Sequence, residues 1–545
     1  MMKRIGAYFL CLLCYNSITA QTGYSNFAQQ TNRINALAKA NPQWVKVRSL
    51  TKTNGGKDIW QITIGSGNTE TKPAIAVIGG VEGNAPLSTE LAIGFAEQLM
   101  QGIATDSIKN LLNKTTFYIF PNMSPDAMEQ YFASLRYERQ GNATSTDDDR
   151  DGNNNEDDYD DLDGNGKITW MRVESPVGTH RVHPNDPRVL IKADVSKGEK
   201  GNYLVLSEGK DNDKDGSFNE DGEGGVWFNK NLTFKHPSFS QGSGEFPASE
   251  KETRVLLDEL FDRFNVYAVI SFSSGNNLST AYSFNAATAS APILAGWLMP
   301  DTKVNSMVSE LYNKTVGLKD APASTVNGGD LLSWGYYHYG RFSFSTPGWW
   351  VPKTKPDTAK NEKAFTVEDV SANYLRWASQ QNISNVYTEW KTIQHPDFPN
   401  QKVEVGGVDP FVLHTPPYSL VPDLVKKHSN FLVKLAAAQP EIDIVNIKTE
   451  KLASGLTRIT FDVINKSALP SHSKLGERSY WVKRINVKVN NNSSQSIISG
   501  KKIQLLNALE GYSSKQLTWL IKGTGKVTIE AGSPTTGTKS IEVTL

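Results

Sequence analysis

Ala74-Ile75-Ala76-Val77-Ile78-Gly79-Gly80-Val81-Glu82-Gly83-Asn84-Ala85-Pro86-Leu87-Ser88-Thr89-Glu90-Leu91 reads as a buried strand, a glycine turn and the start of a helix. The apolar run is too short for a helix and suits a strand covered on both faces. Pro86 suits the first helical position, and Leu87, Leu91, Phe95 and Leu99 follow at intervals of four, along one helical face. The same alternation recurs downstream. Residues 117–123 and 267–273 read as further buried strands, and Ser249 with Glu252 reads as a capping box, N-cap and third helical position, for a helix through Val255, Leu256, Leu260 and Phe261. Strands alternating with amphipathic helices predict an α/β domain with a mixed, largely parallel sheet flanked by helices.

Two regions depart from this pattern. Residues about 140–225 are rich in Asp, Asn, Gly and Glu with few apolar runs, and read as an insertion with little core of its own. From residue 440 to 545 short β-type alternations such as TRITFDV, WVKRINVKV and KVTIEAG are separated by Gly, Asn and Ser turns, the pattern of an all-β sandwich. The domain reading is therefore a targeting segment over 1–20, an α/β domain over 21–439 closed by a helix near 424–439, and a β-sandwich over 440–545.

Lys3-Arg4, the apolar residues that follow and Ser17-Ile18-Thr19-Ala20 have the form of a cleavable signal peptide. Both cysteines, Cys11 and Cys14, lie inside it, so cleavage after Ala20 leaves a chain without disulfides, which suits a bacterial envelope. The expectation is a secreted or periplasmic protein. A lipoprotein signal at Cys14 is disfavoured because Leu12 and Leu13 are larger than the residues such a signal uses. No later stretch reaches ~18 continuous apolar residues, so no membrane span is expected. Lys+Arg 57 against Asp+Glu 57 gives no bulk charge to support a nucleic-acid partner.

The insertion carries a repeated pattern. Asp147-Asp148-Asp149-Arg150-Asp151-Gly152 and Asp211-Asn212-Asp213-Lys214-Asp215-Gly216 share D-x-D-x-D-G, and Asp161-Leu162-Asp163-Gly164-Asn165-Gly166 places oxygen side chains at the same three positions. Alternate Asp and Asn residues with a glycine at the sixth position supply oxygens around a tight turn, the requirement of a calcium ion. The bidentate glutamate of an EF-hand is missing from all three. Calcium bound by Asp147, Asp149, Asp151, Asp161, Asp163, Asn165, Asp211, Asp213 and Asp215 is the expected cofactor, in a structural role.

Segments spread in order over roughly residues 25–438 resemble the zinc carboxypeptidase family: GGVEGNAPLSTELA, FPNMSPDA (120–127), Val226-Trp227-Phe228-Asn229-Lys230-Asn231, SEKETRVL (249–256), SFSSGNNL (271–278) and SWGYYHYGRFSFSTPGWW (333–350). The insertion and the β-rich tail look like a bacterial branch of it. The resemblance implies zinc held by His, Glu and a second His with a water in the fourth position, a glutamate as general base and an arginine that polarises the scissile carbonyl. Carried over position by position, the first His is Glu82, the ligand Glu is Ala85 and the second His is Ser273. The base falls on Pro347, or on Gly348 one residue along, neither of which accepts a proton. The pair that binds the substrate carboxylate reads Asn229-Lys230, which keeps a charge but loses the guanidinium fork. Arg136 or Arg139 stands for the polarising arginine. Glu82 itself reads as a solvated loop residue or one paired with a neighbouring arginine.

His180, His183 and His338 offer no replacement set: Pro184 argues against a helix presenting the first two, and His338 sits among Tyr336, Tyr337 and Tyr339 in a strand-edge segment. Zinc is not expected. The sequence reading is a non-catalytic pseudopeptidase that keeps a cleft for a peptide, a peptidoglycan stem or a glycan, with Trp334, Trp349 and Trp350 near it. The alternative is an active metallocarboxypeptidase with rebuilt zinc ligands.

Overall fold

β1 (Val45–Lys52) and β2 (Asp58–Ile64) form an antiparallel hairpin, followed by β3 (Ala74–Ile78) and β4 (Thr116–Phe120). After an excursion through β5 (Trp170–Glu174), β6 (His180–His183), β7 (Asp186–Lys192) and β8 (Tyr203–Ser207), the chain returns in β9 (Val266–Phe272) and β10 (Phe342–Thr346). The first sheet has the order β1-β2-β4-β3-β9-β10, with β4, β3, β9 and β10 mutually parallel and the hairpin antiparallel at one edge. The expected mixed, largely parallel sheet is what forms. The computed structural model describes residues 23–545 apart from 148–151, 155–156, 215, 220–224, 361 and 453–454. The segment 1–20 and Asp149, Asp151 and Asp215 therefore lie outside the described residues.

Strand β3 shows why this sheet is central. Ile75 and Val77 enter the core on one face, with Leu91, Phe95 and Leu99 of the helix Pro86–Gln101 and Leu432 of the helix Val421–Ala437. Ala74, Ala76 and Ile78 enter the core on the other, with Leu256 and Leu260 of the helix Lys251–Phe261. Alternation along a strand covered on both faces produces this division. Truncating one such aromatic, Phe95→Ala, costs about 3–5 kcal/mol. The turn after β3 needs its glycines. A Cβ on Gly79 would come within 2.5 Å of the Pro121 carbonyl oxygen, and Gly80 has φ +58°.

The helix Lys251–Phe261 corrects the expected capping box. Its N-cap is Glu250, with no side-chain cap bond. Ser249 Oγ donates to Glu250 Oε1 at 2.8 Å instead, and Glu252 accepts from Asn142 Nδ2 at 2.6 Å. The buried Asn142 carboxamide, distant in sequence, has taken the carboxylate that the local pattern assigned to the helix end. His338 likewise is no strand-edge residue: it caps the C-terminus of the helix Leu331–Tyr337.

The insertion does have a core. Strands β5 to β8 join β11 (Tyr387–Ile393) and β12 (Val403–Val408) in an antiparallel sheet of order β11-β12-β5-β8-β6-β7. Met171 and Val173 of β5 pack against Val403 and Val405 of β12. Between Ile442 and Thr544 eight strands form two four-stranded antiparallel sheets around Ile459, Phe461, Ile485, Val487 and Trp519. Buried Arg341 ties the first sheet to this region, donating to the carbonyls of Phe264 at 3.1 Å and Trp481 at 2.6 Å. Among the described residues no helix is long and apolar enough to cross a membrane.

Candidate functional site

Because β3, β9 and β10 run parallel, the residues after each strand meet at one end of the sheet, where α/β folds place their ligand sites. Glu82, Ser273 with Ser274, and Pro347 follow these strands and line one cleft of about 790 Å³. Asn229, Lys230, Trp227, Asp330, Trp349, Trp350 and His414 line it too.

Glu82 is half-buried and held by hydrogen bonds from the fold, and among the described residues no arginine pairs with it. The Ser274 backbone N–H donates to both its oxygens at 3.0 Å, Ser274 Oγ donates to Oε1 at 2.6 Å and Asn229 Nδ2 donates to Oε1 at 3.1 Å. Asn229 is held in turn by the Leu331 N–H, which donates to its Oδ1 at 3.0 Å. The two other positions that the resemblance assigns to zinc ligands give nothing to a metal. Ala85 presents a methyl group before the helix Pro86–Gln101, and the buried Ser273 shares a 2.8 Å hydrogen bond with Ser345 Oγ. Zinc needs three protein donors with open lone pairs. These residues do not fit it.

Lys230 Nζ donates to the Gln241 carbonyl at 3.0 Å and lies 3.8 Å from the Trp227 ring centre, and partial burial lowers its pKa. Asp330 caps the helix Leu331–Tyr337 through Oδ1, which accepts from the Ser333 N–H at 2.8 Å. It is 3% exposed, and its Oδ2 has no partner among the described residues. Burial pushes its carboxyl above the usual range, and the Glu82 charge adds to this.

The remaining candidates are dispersed. Arg136 packs 5.1 Å from the Tyr131 ring and pairs its backbone with Lys167, while Arg139 donates to the carbonyls of Gly141 and Asn142; neither lines the cleft. Trp334 is fully buried against Tyr339 and Phe261, so it is core, not cleft. His338 meets Thr233 Oγ1 at 2.7 Å outside the cleft. His180 and His183 sit three apart on a strand and so face opposite ways, and His183 is buried against the Val367 carbonyl. Sequence reasoning missed Asp330, Ser274 as a partner of Glu82, and His414. Only Asp330 carried a local sign, the cap spacing Asp330-x-x-Ser333.

The three acidic loops share one hydrogen bond. The glycine at the sixth position donates its N–H to Oδ2 of the first aspartate: Gly152 to Asp147 at 3.1 Å, Gly216 to Asp211 at 3.1 Å and Gly166 to Asp161 at 2.7 Å. In the third loop Asp161, Asp163 and the fully buried Glu208 bring carboxylate oxygens within 4.8 Å of one another. Glu208 follows β8 and was invisible in the loop's own sequence. Asn165 Oδ1 is occupied by the Lys167 N–H at 2.8 Å.

The family model described as zinc carboxypeptidase matches residues 31–347, and one described as Domain of unknown function (DUF8731) matches residues 441–544. A zinc carboxypeptidase of Saccharothrix mutabilis subsp. capreolus is 28% identical over 23% of this chain and 30% of its own length. Carboxypeptidase E of Caenorhabditis elegans is 30% identical over 22% of this chain and 26% of its own length. The alignments thus span under a third of these relatives. Among solved structures, carboxypeptidase A from Helicoverpa armigera aligns over 76% of this chain and 74% of its own at 12% identity, with a TM-score of 0.41.

Proposed function

The chain belongs to the zinc carboxypeptidase family, and from that premise we propose that it is a non-catalytic member whose cleft binds peptides without cleaving them. The observation that carries this is the state of Glu82: its carboxylate is engaged by Ser274 and Asn229, while Ala85 and Ser273 add no open donor beside it. Hydrolysis in this family's manner also needs a base, and Pro347 at the edge of the cleft cannot act as one. The cleft keeps the features of a binding site, with Asn229 and Lys230 on its floor and Trp349 and Trp350 on its wall. A free peptide carboxylate is the group that Lys230 would meet.

Calcium in the three acidic loops is part of the same proposal, supported at Asp147 and Asp211 by the glycine-to-aspartate bond that leaves Oδ1 for a cation, and in the third loop by the carboxylates of Asp161, Asp163 and Glu208 within 4.8 Å of one another. Export by the segment 1–20 is a further part, resting on the sequence alone.

The test is elemental analysis of the purified mature chain after dialysis against trace zinc and calcium, followed by peptide binding and hydrolysis assays. Calcium without stoichiometric zinc, binding without hydrolysis, and weaker binding by Lys230→Ala are the expected results. Stoichiometric zinc with release of C-terminal residues would establish instead an active carboxypeptidase with rebuilt ligands.

A further inference from the structure

Two of the carboxylates that line the cleft, Glu82 and Asp330, have no ion pair among the described residues and are tied to one side chain, Asn229, the second through the neighbouring Leu331 N–H. Glu82 makes no ion pair among the described residues; its hydrogen bonds come from a neutral backbone N–H, a hydroxyl and an amide. Such neutral partners leave the charge of a carboxylate uncompensated. Asp330, which also lines the cleft, is buried more deeply, and its Oδ2 is shielded and has no hydrogen-bond partner among the described residues. A buried acceptor left without a donor is costly, and folds tolerate it chiefly at sites that something else completes.

The two acids are held in a fixed relation. The Asn229 side chain donates to Glu82 at one end and accepts from the Leu331 N–H, next to Asp330, at the other. Of the lysines that line the cleft, Lys353 lies 3.5 Å from Glu368, and Lys230 donates to the Gln241 carbonyl beside the Trp227 ring, neutral partners that leave its charge for a ligand carboxylate. An anionic group placed here would be repelled by Glu82, and a neutral donor would satisfy Asp330 but leave the charge of Glu82. A zinc ion lacks ligands, because Ala85 and Ser273 supply no open donor beside Glu82.

We propose that the cleft receives a primary ammonium group of its ligand between Glu82 and Asp330, at the position where the family pattern places a metal. Three N–H donors match this arrangement: one completes Asp330 Oδ2, another faces the Glu82 carboxylate, and the third is left for water. The group binds as a cation, with no bond made or broken. With Lys230 on the same floor, a ligand carrying both an ammonium and a carboxylate is matched twice. This inference rests on the reading of the cleft as a binding site.

The experiment titrates the full mature chain with hexylamine, 6-aminohexanoate and hexanoate, following the fluorescence of the cleft tryptophans Trp227, Trp349 and Trp350. A pool of short peptides with free C-termini is titrated in parallel. The two amines should bind at least about tenfold more tightly than hexanoate, and Asp330→Asn and Glu82→Gln should each weaken them by on the order of tenfold with unchanged circular dichroism. Hexanoate binding as well as hexylamine, or both variants retaining wild-type amine affinity, overturns the ammonium site. If the peptides bind and the amines do not, the ammonium site falls while the cleft stands. If neither binds, the cleft reading falls with it.

Discussion

Glu82 in the cleft and the acidic loops use one functional group in opposite ways. At Glu82 both carboxylate oxygens accept from protein donors, with Ser274 contributing to each. In the loops, Asp147 and Asp211 accept a glycine N–H on Oδ2, while Oδ1 is shielded from solvent and has no partner among the described residues. A carboxylate filled from inside the fold needs no ion, whereas a half-filled one keeps lone pairs in place for a cation. Residue type alone did not separate the two cases, since both are acids in glycine-rich turns. The neighbouring donors do.

The largest expected effect breaks or upholds the loop half of this contrast. Calcium at about one hundred times its dissociation constant stabilises a fold by about 2.7 kcal/mol per site. Chelation should therefore lower the calorimetric midpoint of the insertion-bearing region by several degrees or more, since each kcal/mol moves a domain of this size by roughly 2–4 °C. The β-sandwich of residues 441–544 should keep its own transition. Identical scans in excess calcium and in chelator would show that the loops bind no calcium.

What the sequence disclosed follows the same physics. Strand β3, the helix Pro86–Gln101 and the C-terminal sheets were legible because their apolar residues recur with period, and the period survives in the fold. The insertion's sheet was not, because Met171 and Val173 are single apolar residues separated by Arg172 and their partners, Val403 and Val405, lie over two hundred positions away. The identities of Glu82, Ala85 and Ser273 were legible. The partners of Glu82 were not, because Ser274 and Asn229 reach it from distant segments. Glu208 and Asp330 were hidden for the same reason.

A third group of acids sharpens the contrast with an intermediate effect. Asn142 Nδ2 donates to Glu250 at 2.7 Å and to Glu252 at 2.6 Å, so two buried carboxylates share one amide. Burial, aided by Glu250 and Asp126, pushes Glu252 up to about 7. The folded chain therefore binds a proton more tightly than the unfolded one. The stabilisation is complete below the ordinary glutamate range and is lost as pH rises through about 7. The loss amounts to roughly 3 kcal/mol. Denaturation of wild type and Glu252→Gln between pH 4.5 and 8 should show the difference shrinking to nothing at the acid end, with the variant the more stable at pH 8. Parallel pH profiles would mean that Glu252 is ionised in the fold and has a counter-charge.

The smallest effect tests the filled carboxylate itself. Glu82→Ala leaves the Ser274 N–H and hydroxyl and Asn229 Nδ2 without their acceptor, at a cost of about 1–3 kcal/mol. Because Glu82 is only half-buried, water entering the cleft should hold the loss near the lower figure. The cost must be the same in calcium, in zinc and in chelator, since no ion takes part. Asp211→Ala is the matched control: its destabilisation should be larger in calcium than in chelator, where only the hydrogen bond from the Gly216 N–H is lost. Zinc that stabilises wild type but not Glu82→Ala would reveal an open lone pair on Glu82, and the distinction between filled and half-filled acids would then fail at the residue on which it was first drawn.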